Sequence, residues 1–287
     1  MSAAGVECLN CGAALSGPFC AKCGQRAVAP YPTLREYAGD AWAEMSGWDG
    51  RFARTLETLL VRPGRLTVDT LEGRRAYYIK PLRLYLSASL LYFVIAAAAP
   101  NVATSTQAVI PGRQQITIDV TDPRGVDALS LEQRAQALEN IEKAPPLLEP
   151  LLRTVILDPE GFRNRMMVAF PKVIFGMVPV FALITGLFYR RRPFMQHLTF
   201  ALHIHAVIFL VLALTELVQF TWNVRAVQIA GVGSMAFLVW YIVRAQRVAY
   251  GNGLPATLLK SLGIGAGYLI VWVPVMAAVL AWAAYFR

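Results

Sequence analysis

His197-Leu-Thr-Phe200-Ala-Leu-His203-Ile-His205-Ala-Val-Ile-Phe-Leu-Val-Leu-Ala-Leu-Thr-Glu216-Leu-Val-Gln-Phe220 is a 24-residue stretch with one carboxylate and no Lys or Arg. A helix of about 20 apolar residues crosses the hydrocarbon of a bilayer, so this stretch reads as a transmembrane helix. Four more segments of the same kind flank it, at 81–99, 168–189, 226–243 and 262–286. The whole chain has 56% hydrophobic and 16% charged residues, and a mean hydropathy of +0.47. Soluble domains carry about a quarter charged residues. The composition therefore predicts an all-α integral membrane protein with about five spans. Pro179 and Pro274 are expected to kink the second and fifth spans. Gly263-x-x-x-Gly267 and Ala230-x-x-x-Ser234 offer small surfaces for packing within the bundle.

Orientation follows from the basic residues. Arg74, Arg75, Lys80 and Arg83 border the start of the first span, Arg190, Arg191 and Arg192 join the second to the third, and Arg244, Arg247 and Lys260 join the fourth to the fifth. The short opposite connection, between the third and fourth spans, holds only Arg225, and the C-terminus only Arg287. Positive residues accumulate on the cytoplasmic side, which places the N-terminus inside and the C-terminus outside. Residues 1–30 lack the apolar core of a signal peptide, so the first span would act as an uncleaved anchor. The net charge of +9 lies largely beside the spans, where it orients them.

All four cysteines sit at the N-terminus, as Cys8-x-x-Cys11-Gly12 and Cys20-x-x-Cys23-Gly24. Each C-x2-C turn brings two sulfurs to one side of a knuckle, and the glycine accepts the backbone conformation that the knuckle needs. Two such knuckles make a tetrahedral sulfur cage suited to a structural Zn²⁺. A pair of disulfides or an iron site are the alternatives. Clustered thiols suit a reducing cytosol, which agrees with the orientation read from charge. Only Phe19, Lys22 and Arg26 supply aromatic or basic character here, too sparse for a nucleic-acid face. A protein partner is the expected contact.

Between the knuckles (1–30) and the first span lies a juxtamembrane helical cap, 31–80. Thr33-Leu-Arg-Glu36 reads as a capping box opening a helix with Leu34, Tyr37, Ala38, Ala41, Trp42 and Met45 on one face. A second helix starts near Asp49 and is expected to bury Phe52, Leu56, Leu59 and Leu60, showing Arg51, Arg54, Glu57 and Arg62 outward. Pro63-Gly64 breaks it, and Gly73 ends a short third helix. These basic amphipathic helices could lie on an anionic leaflet or pack on the bundle. Residues 100–167, with seven Lys or Arg and nine Asp or Glu, form a polar extracytoplasmic segment. It is expected to hold a short strand at 114–120 and a helix carrying Leu131, Ala135, Leu138 and Ile141. Asp158-Pro159 reads as an N-cap and N1 pair opening the second span.

Ionisable groups inside membranes are costly and point to function by default. His203, His205 and Glu216 in the third span are therefore candidates for a polar or ligand site. His203 and His205 face different sides of a regular helix and do not chelate one metal together. Hydrogen bonding across the bundle explains them as well as a ligand or proton-relay role does. Ser87 and Ser89 have no base near them in sequence and read as packing residues. The chain has no P-loop, no G-x-S-x-G and no H-E-x-x-H, and no residue pattern declares a reaction.

Several pieces together resemble a bacterial membrane family grouped as domain of unknown function 3667. They are Cys8-x-x-Cys11-Gly12 with Phe19-Cys20-x-x-Cys23-Gly24-Gln25, then Arg54-Thr-Leu56 through Arg62-Pro-Gly64. Gly73-x-Arg75-x-x-Tyr78-x-x-Pro81 follows, running into Leu84-Tyr-Leu86, and then His197-Leu-x-Phe-Ala-Leu-His203-x-His205. The resemblance implies a multi-pass inner-membrane protein with a cytoplasmic zinc-ribbon-like head and assigns no reaction. It adds Arg75 and Tyr78, in a cluster with Gly73 and Pro81, as candidates to grip headgroups or the metal head. Anchoring the first span at the interface explains them equally well. The residues together read as a membrane-anchored adaptor or assembly factor that is not an enzyme. The alternative is a small transporter or lipid-handling protein using the third span, and a membrane enzyme comes third.

Overall fold

A computed structural model describes residues 7–25, 50–99, 149–285 and the isolated positions 135, 138, 139 and 141. The capping box at Thr33 and the strand expected at 114–120 lie outside these residues. The described helices are α1 (Gly50–Val61), α2 (Arg65–Leu71), α3 (Pro81–Ala98), α4 (Glu149–Leu157), α5 (Pro159–Phe188), α6 (Phe194–Gln219), α7 (Val224–Tyr250) and α8 (Leu254–Tyr285). Among the described residues the only β pairing is a single bridge, Glu7 to Ala14.

Five helical stretches are long and apolar enough to cross a bilayer: Pro81–Ala98, Asn164–Phe188, Phe194–Gln219, Val224–Tyr250 and Leu254–Tyr285. This is the helical membrane fold expected from the sequence. α6 is the most enclosed of the five, with 72% of its apolar window buried against 6% for α8. Most of the side chains of α8 are thus left for lipid.

The chain divides into two compact units. The first combines Met1–Ala97, Val178–Leu214 and Gly233–Ala266. In it, α1 and α2 pack on the helical bundle. Leu59, Leu66 and Thr67 are buried, and the Tyr241 hydroxyl donates to the Leu59 carbonyl. Gly64 (φ 80°) caps α2 in the left-handed region, and its α-carbon lies so close to α7 that a Cβ would stand 2.5 Å from the Ala245 carbonyl oxygen. Gly73 (φ 90°) follows the end of α2. One detail of α1 differs from expectation. Leu60 is exposed and Phe52 and Leu56 are half-buried, while Thr55 and Thr58 are inside. Thr55 is tolerated there because its hydroxyl donates to the Arg51 carbonyl at 2.6 Å and accepts from the Ile79 amide at 3.0 Å, leaving no unmet polar group.

Gly263 meets the expectation of close helix packing, since a Cβ there would stand 2.5 Å from the Phe188 ring. An aromatic cluster of Tyr85, Tyr92, Phe93 and Phe209 joins α3 to α6.

The second unit combines Ala98–Met177, Thr215–Val232 and Gly267–Arg287. Asp158 caps α5 as the Asp-Pro pair predicts, accepting from the Gly161 amide at 3.0 Å. Arg165 bonds Asp158 at 3.1 Å and the Ala283 carbonyl at 2.8 Å, and Thr154 donates to the Ala284 carbonyl at 3.1 Å. These donors meet carbonyls that the end of α8 cannot satisfy itself. Ile141 and Ile156 are buried together, with Leu138 packed against them.

Candidate metal centre

The two knuckles are conformational copies. The Cys8 amide donates to the Ala13 carbonyl and the Gly12 amide to the Cys8 carbonyl, both at 2.8 Å. The Cys20 amide donates to the Gln25 carbonyl and the Gly24 amide to the Cys20 carbonyl, again at 2.8 Å. Gly12 (φ 73°) and Gly24 (φ 70°) both use the left-handed region that closes each turn, the conformation glycine adopts at least cost.

These turns bring the Sγ atoms of Cys8, Cys11, Cys20 and Cys23 within 4.8 Å of one another. Cys8 lies 3.6 Å from Cys23, and Cys11 lies 3.6 Å from Cys20. A disulfide needs sulfurs about 2.05 Å apart, and all four cysteines are free. Four thiolates around a tetrahedral zinc at about 2.3 Å would stand roughly 3.8 Å apart. The cage therefore fits a tetrahedral metal ion.

The thiols divide the proton unequally. Cys11 accepts from the Ala13 backbone, which lowers its pKa, yet burial and the neighbouring sulfurs of Cys23, Cys20 and Cys8 raise it to about 12. Cys20, held by the backbone amides of Cys23 and Lys22, falls to about 6. One sulfur is thus poised as thiolate while another holds its proton until a cation displaces it.

The cage docks on the turn that leads into α3. The Gln25 side-chain amide donates to the Gly73 carbonyl at 2.6 Å, and its oxygen accepts from the Arg75 and Ala76 amides at 3.0 and 2.9 Å. Leu9 of the first knuckle fills the space beside Gly73, where a Cβ would come within 2.7 Å of it. Arg75 contributes its backbone to this grip. Tyr78 donates to Asp69 at 2.9 Å, and burial followed by that carboxylate raises the Tyr78 pKa. Asp69 is itself buried, ion-paired with Arg65 at 2.9 Å and Arg74 at 3.5 Å, as a buried charge requires. Arg54 lies over the exposed Tyr77 ring at 5.1 Å.

The other sequence candidates are held by separate partners. His203 Nδ1 lies 2.8 Å from the Thr67 hydroxyl, a buried link from α6 to α2. His205 Nδ1 is 2.8 Å from the Ala201 carbonyl of its own helix, and its ring stands edge-on to Phe181 at 5.5 Å and Tyr85 at 6.5 Å. Glu216, in the second unit, accepts from Gln219 one turn further along α6. His197 Nδ1 contacts the Tyr250 hydroxyl at 2.9 Å.

Sequence reasoning did not select Gln25, Thr67, Asp69, Tyr189, Gln246 or Tyr250. Gln25 stood at the end of the second knuckle motif, which was the one available signal.

Residues 49–93 match a family described as Protein of unknown function (DUF3667). The matched residues cover α1, α2, the docking turn and most of α3, the elements that the cysteine cage and α6 pack against. No curated protein and no solved structure matches the chain.

Proposed function

We propose that this chain is a membrane-anchored adaptor whose head, ordered by a structural Zn²⁺ on Cys8, Cys11, Cys20 and Cys23, presents a fixed surface to a protein partner. The observation that carries this reading is the triple grip of Gln25 on Gly73, Arg75 and Ala76. A loosely tethered metal module needs no such clamp, whereas a recognition surface held at a set place beside a bilayer does. Phe19, between the knuckles and 59% exposed, is the apolar residue this surface offers. The basic residues at the same ends of the helices support a cytoplasmic head, an extracytoplasmic C-terminus and contact with anionic lipid, in the bacterial inner membrane that the family resemblance implies. Burial of His203 and His205 in packing contacts favours a structural role for them over a proton path through α6.

The test is site-specific photocrosslinking in native membranes from position 19, compared with position 17 across the same loop. A single discrete protein adduct from position 19, lost in Cys8→Ser, is expected. Adducts confined to lipid, or unchanged by Cys8→Ser, would overturn the adaptor reading.

A further inference from the structure

Three buried side chains with unused hydrogen-bond donors gather where α5 and α7 end and α8 begins. The hydroxyl of Tyr189, a residue only 7% exposed, finds no acceptor for its hydrogen, and the side-chain nitrogens of Gln246 and Asn252 have no carbonyl or carboxylate to donate to. The Asn252 amide turns one N–H toward the Tyr189 oxygen, which leaves its second N–H and the Tyr189 O–H hydrogen unused. Gln246, 1% exposed, has given its oxygen to the Ser261 hydroxyl, so its nitrogen is the group left over. Ser261 adjoins Lys260, whose ammonium lies 4.2 Å above the Tyr189 ring. The other face of that ring stacks on Tyr250 at 3.9 Å, so the ring beneath the ammonium is fixed. Lys260 forms no ion pair among the described residues.

A buried donor left unmet costs about 1–3 kcal/mol, and native interiors keep few of them. Water would donate as well as accept, and so is a poor complement to three donors and a cation. A group that only accepts, and carries negative charge, is the better one. The place in the fold narrows the choice. These are the ends of three helices long enough to span a bilayer, and the exposed Arg190, Arg191 and Arg192 lie beside them in sequence. We infer that Tyr189, Gln246, Asn252 and Lys260 form a binding site for a phosphate group. The group could be carried by an anionic phospholipid or by a soluble phosphate, and both present the same oxygens.

The full-length protein is tested in two arms. In the first, it is purified in neutral detergent and its thermal unfolding is followed against inorganic phosphate. In the second, it is reconstituted in nanodiscs of equal phosphatidylglycerol and phosphatidylcholine, and retained lipid is counted by native mass spectrometry. Lys260→Gln and the milder Tyr189→Phe should each weaken binding roughly tenfold, the loss of one charge-assisted bond. Arg225→Gln, a cation at the opposite end of α7, should bind as the parent does. One retained phosphatidylglycerol lost in both variants assigns the site to lipid, and phosphate-dependent stabilisation without retained lipid assigns it to a soluble ligand. Equal binding by the parent and the two variants overturns the site. So does a parent protein that neither ligand stabilises or labels, whether or not the variants fold.

Discussion

The side chain of Gln25 and the carbonyl of Gly73 are joined at 2.6 Å across 48 residues, and this one amide ties the cysteine cage to the entry of the first membrane helix. Because its oxygen also accepts two backbone amides, Gln25→Ala should remove three contacts of the turn at once, leaving the Arg75 amide its 2.9 Å bond to the Gly73 carbonyl. Hydrogen exchange is expected to rise most at Ala76 and less at Arg75, while bound metal, which involves only sulfur, stays unchanged. Gln25→Glu separates the two halves of the contact, since a carboxylate keeps accepting the amides but cannot donate to Gly73. An exchange pattern unaltered by either change would mean that the head is held by Leu9 alone.

Metal uptake by the cage should be steeply pH-dependent. Cys20, at about 6, is already a thiolate near neutrality, whereas Cys11, at about 12, must surrender a proton to the incoming cation. Between these values, affinity is expected to climb at least tenfold per pH unit, because binding releases at least one proton. Acidification therefore favours release, most abruptly as the pH falls through about 6, where the stabilised Cys20 thiolate is lost too. A chromogenic zinc indicator against the purified protein reads this directly. Near-stoichiometric zinc, absent from Cys8→Ser, is the expected baseline, and a pH-independent affinity would exclude thiolate ligation.

The membrane helices and the knuckles were legible in the sequence because each follows from local composition or spacing. Five charge-poor runs can only be buried or lipid-facing, and two C-x2-C-G turns can only be knuckles. What stayed hidden depended on which way a side chain faces. Leu60 carries the right hydrophobicity for the inner face of α1, yet Thr55 and Thr58 occupy it, since hydroxyls can bond backbone within the same turn or the next strand of chain. α6 has no polar face to give its orientation away, so its pairing with Thr67 through His203 had no pattern to announce it. Tyr189, Gln246 and Tyr250 sit near span ends, where polar residues are ordinary and only packing shows that they are enclosed.

Gly64 is where the fold depends on the absence of a side chain. It holds φ 80°, and a Cβ would stand 2.5 Å from the Ala245 carbonyl oxygen and 3.0 Å from its α-carbon. Gly64→Ala combines a left-handed alanine, about 1 kcal/mol or more, with displacement of α2 from α7. Folded yield in detergent, measured by size-exclusion chromatography, should fall sharply. Gly176→Ala is the contrasting case. Nothing lies within 4 Å of a Cβ there, and an alanine inside a helix gains up to about 1 kcal/mol over glycine, so that protein should be at least as stable as the parent. Equal loss in both would show that the close approach of α2 to α7 is not what Gly64 provides.

Thr67 and His203, 2.8 Å apart and both buried, couple the cap to α6. His203 Nε2 has no partner, so the Thr67 hydroxyl is the ring's only polar contact among the described residues. Thr67→Val keeps the shape and removes that contact, leaving a buried imidazole unmet at a cost of about 1–3 kcal/mol. His203→Leu strands the threonine instead. The double variant removes both polar groups and should be less destabilised than the two single changes summed, by roughly 0.5–3 kcal/mol as for contacting residues elsewhere. Denaturant unfolding of the four proteins in one detergent closes this cycle. Strict additivity would mean that the two side chains do not depend on each other, and that His203 is kept inside α6 for something other than its bond to the cap.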